Sequence, residues 1–269
     1  DNIVITETAA AALPNIVISE IMYNTPSTDD EWIEIYNAGG SSIDISGYTL
    51  NYNGNTFTFP SSTNFASNTY LVVAVGSNGD CTFNNDNSFT PDVNDISGAA
   101  TNADVKDTTD TDNLGNTSGT ITLKDGSATT IDEVTYNQAD AGGNTNGNGS
   151  SFEIIDVTAN NSVTSANWQE SAFNGGSPGK VSSTTWSGAT DNDWSTSTNW
   201  SAGIPIATSD VLIPNGLSNY PTATVAVSLN KILIESGATL IASNTFTASN
   251  SVTYNRAIAN DNQWYFISS

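Results

Sequence analysis

With 269 residues the chain is long enough for two domains of ordinary size, each with its own core. Five Lys and Arg against 28 Asp and Glu give a formal charge of -23, which repels phosphate backbones and anionic lipid and argues against nucleic acid or a membrane surface as partner. The complete lack of His removes the usual general base near neutral pH, any His-Ser triad and any His-ligated zinc site, so catalysis would rest on carboxylates.

Only 12% of residues are charged, while Asn, Thr, Ser and Gly abound, a composition that fits an extracellular β-protein with uncharged polar faces and many turns. Cys81 is the single cysteine, which rules out an intrachain disulfide, and no basic neighbour in sequence would activate its thiol. No apolar run approaches the roughly 20 residues of a membrane span, so no membrane insertion is expected. A secreted chain lying downstream of a removed signal peptide is the expected setting.

Residues 1–14 read as an N-terminal arm. Its Ile3-Val4-Ile5 lies in a segment that nearly repeats Asn15–Glu20, and it is therefore either a donor strand for self-assembly or a chance likeness of two β-prone stretches. From Asn15 the apolar residues fall in short runs of period two, including Ile16, Ile18, Trp32, Ile35, Leu50, Phe57, Phe59 and Val73, broken by Gly, Asn, Pro and Ser. No segment keeps helical spacing for three turns, and an antiparallel sandwich is the natural solution. An acidic insertion at 84–115 interrupts it. Strands resume at Thr120–Lys124, turn at Asp125-Gly126 and return through Thr130–Tyr136 as a hairpin. Ser151–Ile155, Asn167-Trp168 and a Gly175–Gly179 exit close the unit near residue 181.

The order of an S-E-I strand, an acidic loop, W-I-E-I-Y-N, I-D-I-S-G-Y-T-L and Y-L-V-V over residues 16–75 resembles the opening of a lamin tail domain. The later S-x-E strand, N-W pair and G-x-P-G exit extend the resemblance to about residue 180. It implies an immunoglobulin-like β-sandwich without a catalytic centre, and the insertion is its largest departure from the pattern.

Residues 182–269 read as a second β-domain. Its W-x-G…W…N-W…P…V-x-I-P opening, from Trp186 to Pro214, is similar to that of surface proteins exported by the bacterial type IX secretion system. One rung-like stretch, Leu229–Leu240, leaves a short β-solenoid and a second sandwich both open. The run ending in Trp264-Tyr265-Phe266-Ile267 is expected to continue into something longer.

Three groups could carry chemistry. Glu20, Asp29, Asp30 and Glu31, with Glu34 nearby, would repel one another unless a cation screens them, and Ca²⁺ is the usual hard-oxygen partner outside cells; a solvated strand face is the plainer reading. Asp107, Asp110 and Asp112 before Gly115 partly copy a calcium loop but lack the closing glutamate, so a bound ion and a plain acidic loop both stand. Trp186, Trp194 and Trp200 either pack the start of the second domain or stack on sugars. Asp132 and Glu133 are adjacent on a strand and point to opposite faces, which excludes them as a glycosidase pair, whereas Glu20 and Glu34 can lie on neighbouring strands.

These readings combine into an expected function. The chain is a secreted, non-enzymatic structural or adhesive surface module, an adhesin or filament component, whose partners are other surface proteins, copies of itself or glycans. The alternative is a glycan-binding or accessory portion of a larger secreted hydrolase.

Overall fold

The computed structural model describes residues 15–24, 31–75, 105–106, 114–140, 149–157, 159, 162, 167–173, 175–179 and 183–255. Ile3, Val4, Ile5, Cys81, Asp29, Asp30, Asp107, Asp110 and Asp112 lie outside the described residues. The chain is all-β: its one described helical element is a single 3₁₀ turn at Ser197–Asn199. No described helix is long and apolar enough to cross a membrane.

The first part runs β1 (Ile16–Met22), β2 (Glu31–Asn37), β3 (Ile43–Asp44), β4 (Thr49–Tyr52), β5 (Asn55–Thr58), β6 (Asn64–Phe65), β7 (Tyr70–Val75), β8 (Val105–Lys106), β9 (Ser118–Lys124), β10 (Thr130–Asn137), β11 (Phe152–Ile154) and β12 (Trp168–Glu170). A six-stranded sheet in the order β12-β11-β1-β2-β7-β8 and a four-stranded sheet in the order β10-β9-β4-β5 enclose one apolar core. Ile18, Ile21, Ile33, Ile35 and Val73 of the first sheet meet Leu50, Phe57, Ile121, Leu123 and Val134 of the second, all nearly or fully buried. This is the immunoglobulin-like sandwich, with one parallel exception: β8, which falls inside the acidic insertion, pairs with β7 in parallel.

The hairpin at Asp125 forms by a longer route than a two-residue turn. Asp125 Oδ1 accepts from the N–H groups of Ser127 and Thr129, and Ala128 takes φ +62°, so the left-handed residue is an alanine rather than Gly126.

The second part is a parallel stack. β13 (Thr184–Thr185), β14 (Asp210–Ile213), β16 (Val227–Ile234) and β18 (Phe246–Tyr254) form one sheet, and β15 (Thr222–Ala223) and β17 (Ile241–Ala242) form a second, with every pairing parallel. Ile213 pairs with Ile234 and Ile234 with Tyr254, steps of 21 and 20 residues, which is the repeat of a short β-solenoid. Parallel stacking of this kind settles the open choice between solenoid and sandwich. Val211, Ile213, Leu229, Ile232 and Ile234 fill its interior.

Trp186, Trp194 and Trp200 cap that interior. They are 0%, 2% and 6% exposed, and they pack edge to face at centroid distances of 4.9 and 4.6 Å. Their indole N–H groups are taken as well: Trp186 donates to the Asn219 carbonyl and Trp200 to the Trp194 carbonyl, both at 2.8 Å. Sugar stacking needs an open ring face, and packing against neighbouring rings leaves these three tryptophans none. Asn199, fully buried, accepts from the N–H groups of Thr190 and Asp191 and donates to Asp191 Oδ1, fixing the loop between the first two tryptophans.

Candidate functional site

A bulge in β1 creates the site. Ile18 pairs with Ile35 but Glu20 pairs with Glu34, so two residues on β1 advance against one on β2, and Ser19 is the extra residue. Regular alternation from Ile18 would turn Glu20 into the apolar core. The bulge instead turns both Ser19 and Glu20 to the outer face, where Ser19 Oγ donates to Glu34 Oε1 at 2.7 Å.

Glu20 also pairs with Glu153 of β11. Three glutamates thus stand side by side across β11, β1 and β2, each no more than 1% exposed. What buries them is the chain that leaves β12. Ser177 N–H donates to Glu20 Oε1 at 2.8 Å, Ser177 Oγ to Glu20 Oε2 at 3.2 Å, and Ser151 Oγ also bonds Oε1. Gly179 N–H donates to Glu34 Oε2 at 2.5 Å, and Ser183 donates both its N–H and its Oγ to Glu153 Oε2 at 2.8 Å. Gly176 permits this close approach: its φ is +71°, and a Cβ there would collide with Glu20 Oε1 and stand 2.7 Å from Ser151 Oγ.

Burial is the main force on the titration of this row. It raises Glu20 well above the ordinary carboxyl value, the charges of Glu153 and Glu34 raise it further, and the bonds from Ser151 and Ser177 oppose them. Burial likewise raises Glu153, against donors from Ser171, Ser183 and Ser177. Glu153 Oε1 is buried and accepts no hydrogen bond of ordinary geometry.

The row borders a cavity of about 250 Å³ at the junction with the solenoid, lined also by Tyr36, Tyr70, Asp156, Thr184, Ile204 and Ile206. Tyr36 and Tyr70 lie ring to ring at 4.6 Å. Beyond it, Lys231 of β16 is held 3.3 Å from Asp210 Oδ2 in a buried ion pair and sits 4.0 Å above the Phe173 ring, a second tie between the exit segment and the solenoid. That ion pair is the partner of Asp210 Oδ2, which accepts no hydrogen bond of ordinary geometry.

The carboxylates that share one stretch of sequence part company in space. Glu31 is three residues from Glu34 on an unbroken strand and therefore faces the other way, into the sandwich edge, where its Oε2 accepts from Leu114 N–H at 2.5 Å. Burial pushes Glu31 up to about 8 in spite of that bond. Glu20 and Glu31 hence do not share a cation. Among the described residues no group of three or more Cys, Asp or Glu side chains is arranged to hold a metal ion. Glu153, Ser177 and Gly179 stand in the sequence as members of the S-x-E strand and the G-x-P-G exit, with nothing in those motifs to mark them as site residues, and Ser183 belongs to neither. The signal for Glu153 is a glutamate held between Phe152 and Ile154, matching Glu34 between Ile33 and Ile35.

A two-layer sandwich of this topology with a hydrogen-bonded, inward-closed acidic row defines an immunoglobulin-like β-module. Residues 9–138 match the family model of the Lamin Tail Domain. The match ends before β11 and β12, although both complete the same six-stranded sheet. No curated protein matches the chain.

Proposed function

We propose that the chain is a non-catalytic structural or adhesive module of an exported surface protein, in which the sandwich and the solenoid are locked into one rigid unit. One observation supports this most: the carboxylates best placed for chemistry, Glu20, Glu34 and Glu153, accept hydrogen bonds from the segment that leads into the solenoid. A general acid-base pair needs an approach for substrate and a proton at the reacting bond. Here the oxygens of Glu20 and Glu34 hold Ser151, Ser177, Gly179 and Ser19 instead. Export by the type IX route rests on the resemblance of residues 186–214, and a charge of -23 suits an exposed, soluble surface.

Self-association through Ile3-Val4-Ile5 is part of this reading, as is Ca²⁺ held by Asp107, Asp110 and Asp112, all outside the described residues. Sedimentation of the chain lacking residues 1–13 tests the first: loss of oligomers supports strand addition, and an unchanged profile ends it. Melting in millimolar calcium against chelator tests the second, since a bound ion must raise the transition. Pull-down on insoluble polysaccharides separates the module from a glycan-binding accessory. Retention that survives in the isolated solenoid would overturn the structural reading.

A further inference from the structure

We propose that the open edge of β18 is a docking surface for the chain's own residues 264–269, which add the first strand of a further solenoid rung. The inference does not depend on the module being structural or adhesive. It starts from two columns of side chains. Val211, Ile232 and Val252 are register partners on β14, β16 and β18, and so are Ile213, Ile234 and Tyr254. Exposure along the first column runs 0%, 1% and 63%, and along the second 0%, 8% and 52%. The last described rung thus places apolar side chains at interior positions and leaves them in water, which marks it as a middle rung and not a cap. Among the described residues no strand pairs with the outer edge of β18. That edge, Phe246–Tyr254, has none of the Lys or Pro that guard an exposed strand against pairing.

The repeat selects the occupant. Val227 to Phe246 and Leu229 to Ala248 are steps of 19 residues. The same step carries Phe246 to Tyr265 and Ala248 to Ile267, with Phe266 between them on the opposite face, the alternation a rung strand needs. Residues 256–269 lie outside the described residues, and their length fits: 255–263 would form the turn that 235–245 forms between β16 and β18. Neither Phe246–Tyr254 nor Trp264–Ser269 holds a charged residue, so their pairing brings no like charges together in a chain of charge -23. The columns of Val252 and Tyr254 step by 20 residues and pass beyond Ser269, so the added strand covers only the first half of β18.

The main chain supplies the probe. Val227 N–H donates to the Thr245 carbonyl and Asn255 N–H to the Ile234 carbonyl, so by strand alternation the N–H groups of Phe246, Ala248, Val252 and Tyr254 point away from β16 to the open edge. The test is amide hydrogen exchange of the whole chain, read residue by residue by NMR at two protein concentrations. Phe246 and Ala248 are expected to exchange at least about tenfold more slowly than Val252 and Tyr254, equally at both concentrations. Tyr265→Asp combined with Ile267→Asp should abolish the difference, and Phe266→Asp should leave it. Protection of the Ile232 and Ile234 amides shows in each variant that the solenoid itself is folded. Equal exchange at all four edge amides in the wild type would overturn the proposal, as would equal loss in Phe266→Asp. Protection that rises with concentration assigns the edge to a second copy, and protection lost on removing residues 1–13 assigns it to Ile3-Val4-Ile5; either result overturns residues 264–269 as the occupant.

Discussion

Glu153 and Ser183 are joined twice, through the serine N–H and its hydroxyl, both at 2.8 Å from one carboxylate oxygen. Glu153 sits on β11, one strand in from the edge of the six-stranded sheet, and Ser183 immediately precedes the first strand of the solenoid. The contact therefore fixes where one β-architecture ends and the other begins. Ser183→Ala removes the hydroxyl bond and keeps the amide bond, and it is expected to cost about 1–3 kcal/mol, the range for a bond to an ionisable group. Urea unfolding measures it, and a midpoint equal to the wild type would show that the second bond carries no stability.

Gly176 offers a sharper probe of the same closure. Gly176→Ala must place a methyl against Glu20 and Ser151 at a backbone φ of +71°, so strain and collision act together. A loss of about 2–4 kcal/mol is expected, larger than for Gly203→Ala, which has φ +80° but open space around it. Equal losses at the two sites would mean that backbone strain acts alone.

The bulge at Ser19 predicts that the residue can be removed as well as replaced. Ser19→Ala loses one hydrogen bond to Glu34, about 1 kcal/mol, and should fold. Deleting Ser19 leaves Ile18, Glu20 and Ile21 in strict alternation, with Ile16, Ile18 and Ile21 still on the core face and Glu20 still on the outer one. A cooperative transition by circular dichroism is expected for the deletion, and an unfolded product would contradict the bulge.

The buried carboxyl groups set a pH dependence with a definite sign. Glu20 and Glu153 are raised and Glu31 is raised from 4.5 to about 8, so the folded state binds more protons than the unfolded chain. Their contribution is complete below about 4.5 and is lost as pH climbs, for Glu31 through about 8. Asp44 and Asp191 are lowered and act in the opposite sense, only below 3.8, outside this window. Melting temperature should fall between pH 6 and pH 8, where ordinary carboxylates have finished titrating, and Glu31→Gln should flatten part of that fall by removing a few kcal/mol of charging cost. Parallel slopes for variant and wild type would show that Glu31 is not the group involved.

Period-two runs were enough to read the sandwich, because Ile16, Ile18, Ile33, Ile35, Leu50 and Phe57 do face one core. The hairpin strands at Thr120–Lys124 and Thr130–Tyr136 were legible for the same reason, while the turn between them was not, since Ala128 rather than Gly126 takes the left-handed conformation. One rung, Leu229–Leu240, hinted at a solenoid whose parallel stacking emerges only from long-range pairing. The site was less legible. Spacing grouped Glu20 with Glu31, but strand alternation and the bulge at Ser19 pair Glu20 with Glu34 and Glu153 instead. Nothing local announces that the exit after β12 will fold back and bury Glu20 and Glu34, 157 and 145 residues upstream, as Ser177 and Gly179 do, together with Glu153, 30 residues upstream, as Ser183 does.

Small-angle X-ray scattering of the wild type beside a Glu153→Ala, Ser183→Ala double variant tests the rigid junction most directly. A rigid junction gives a single rigid envelope for the wild type, and a broadened distance distribution with a larger maximum dimension for the variant. A wild type that already scatters as two freely jointed bodies would contradict it.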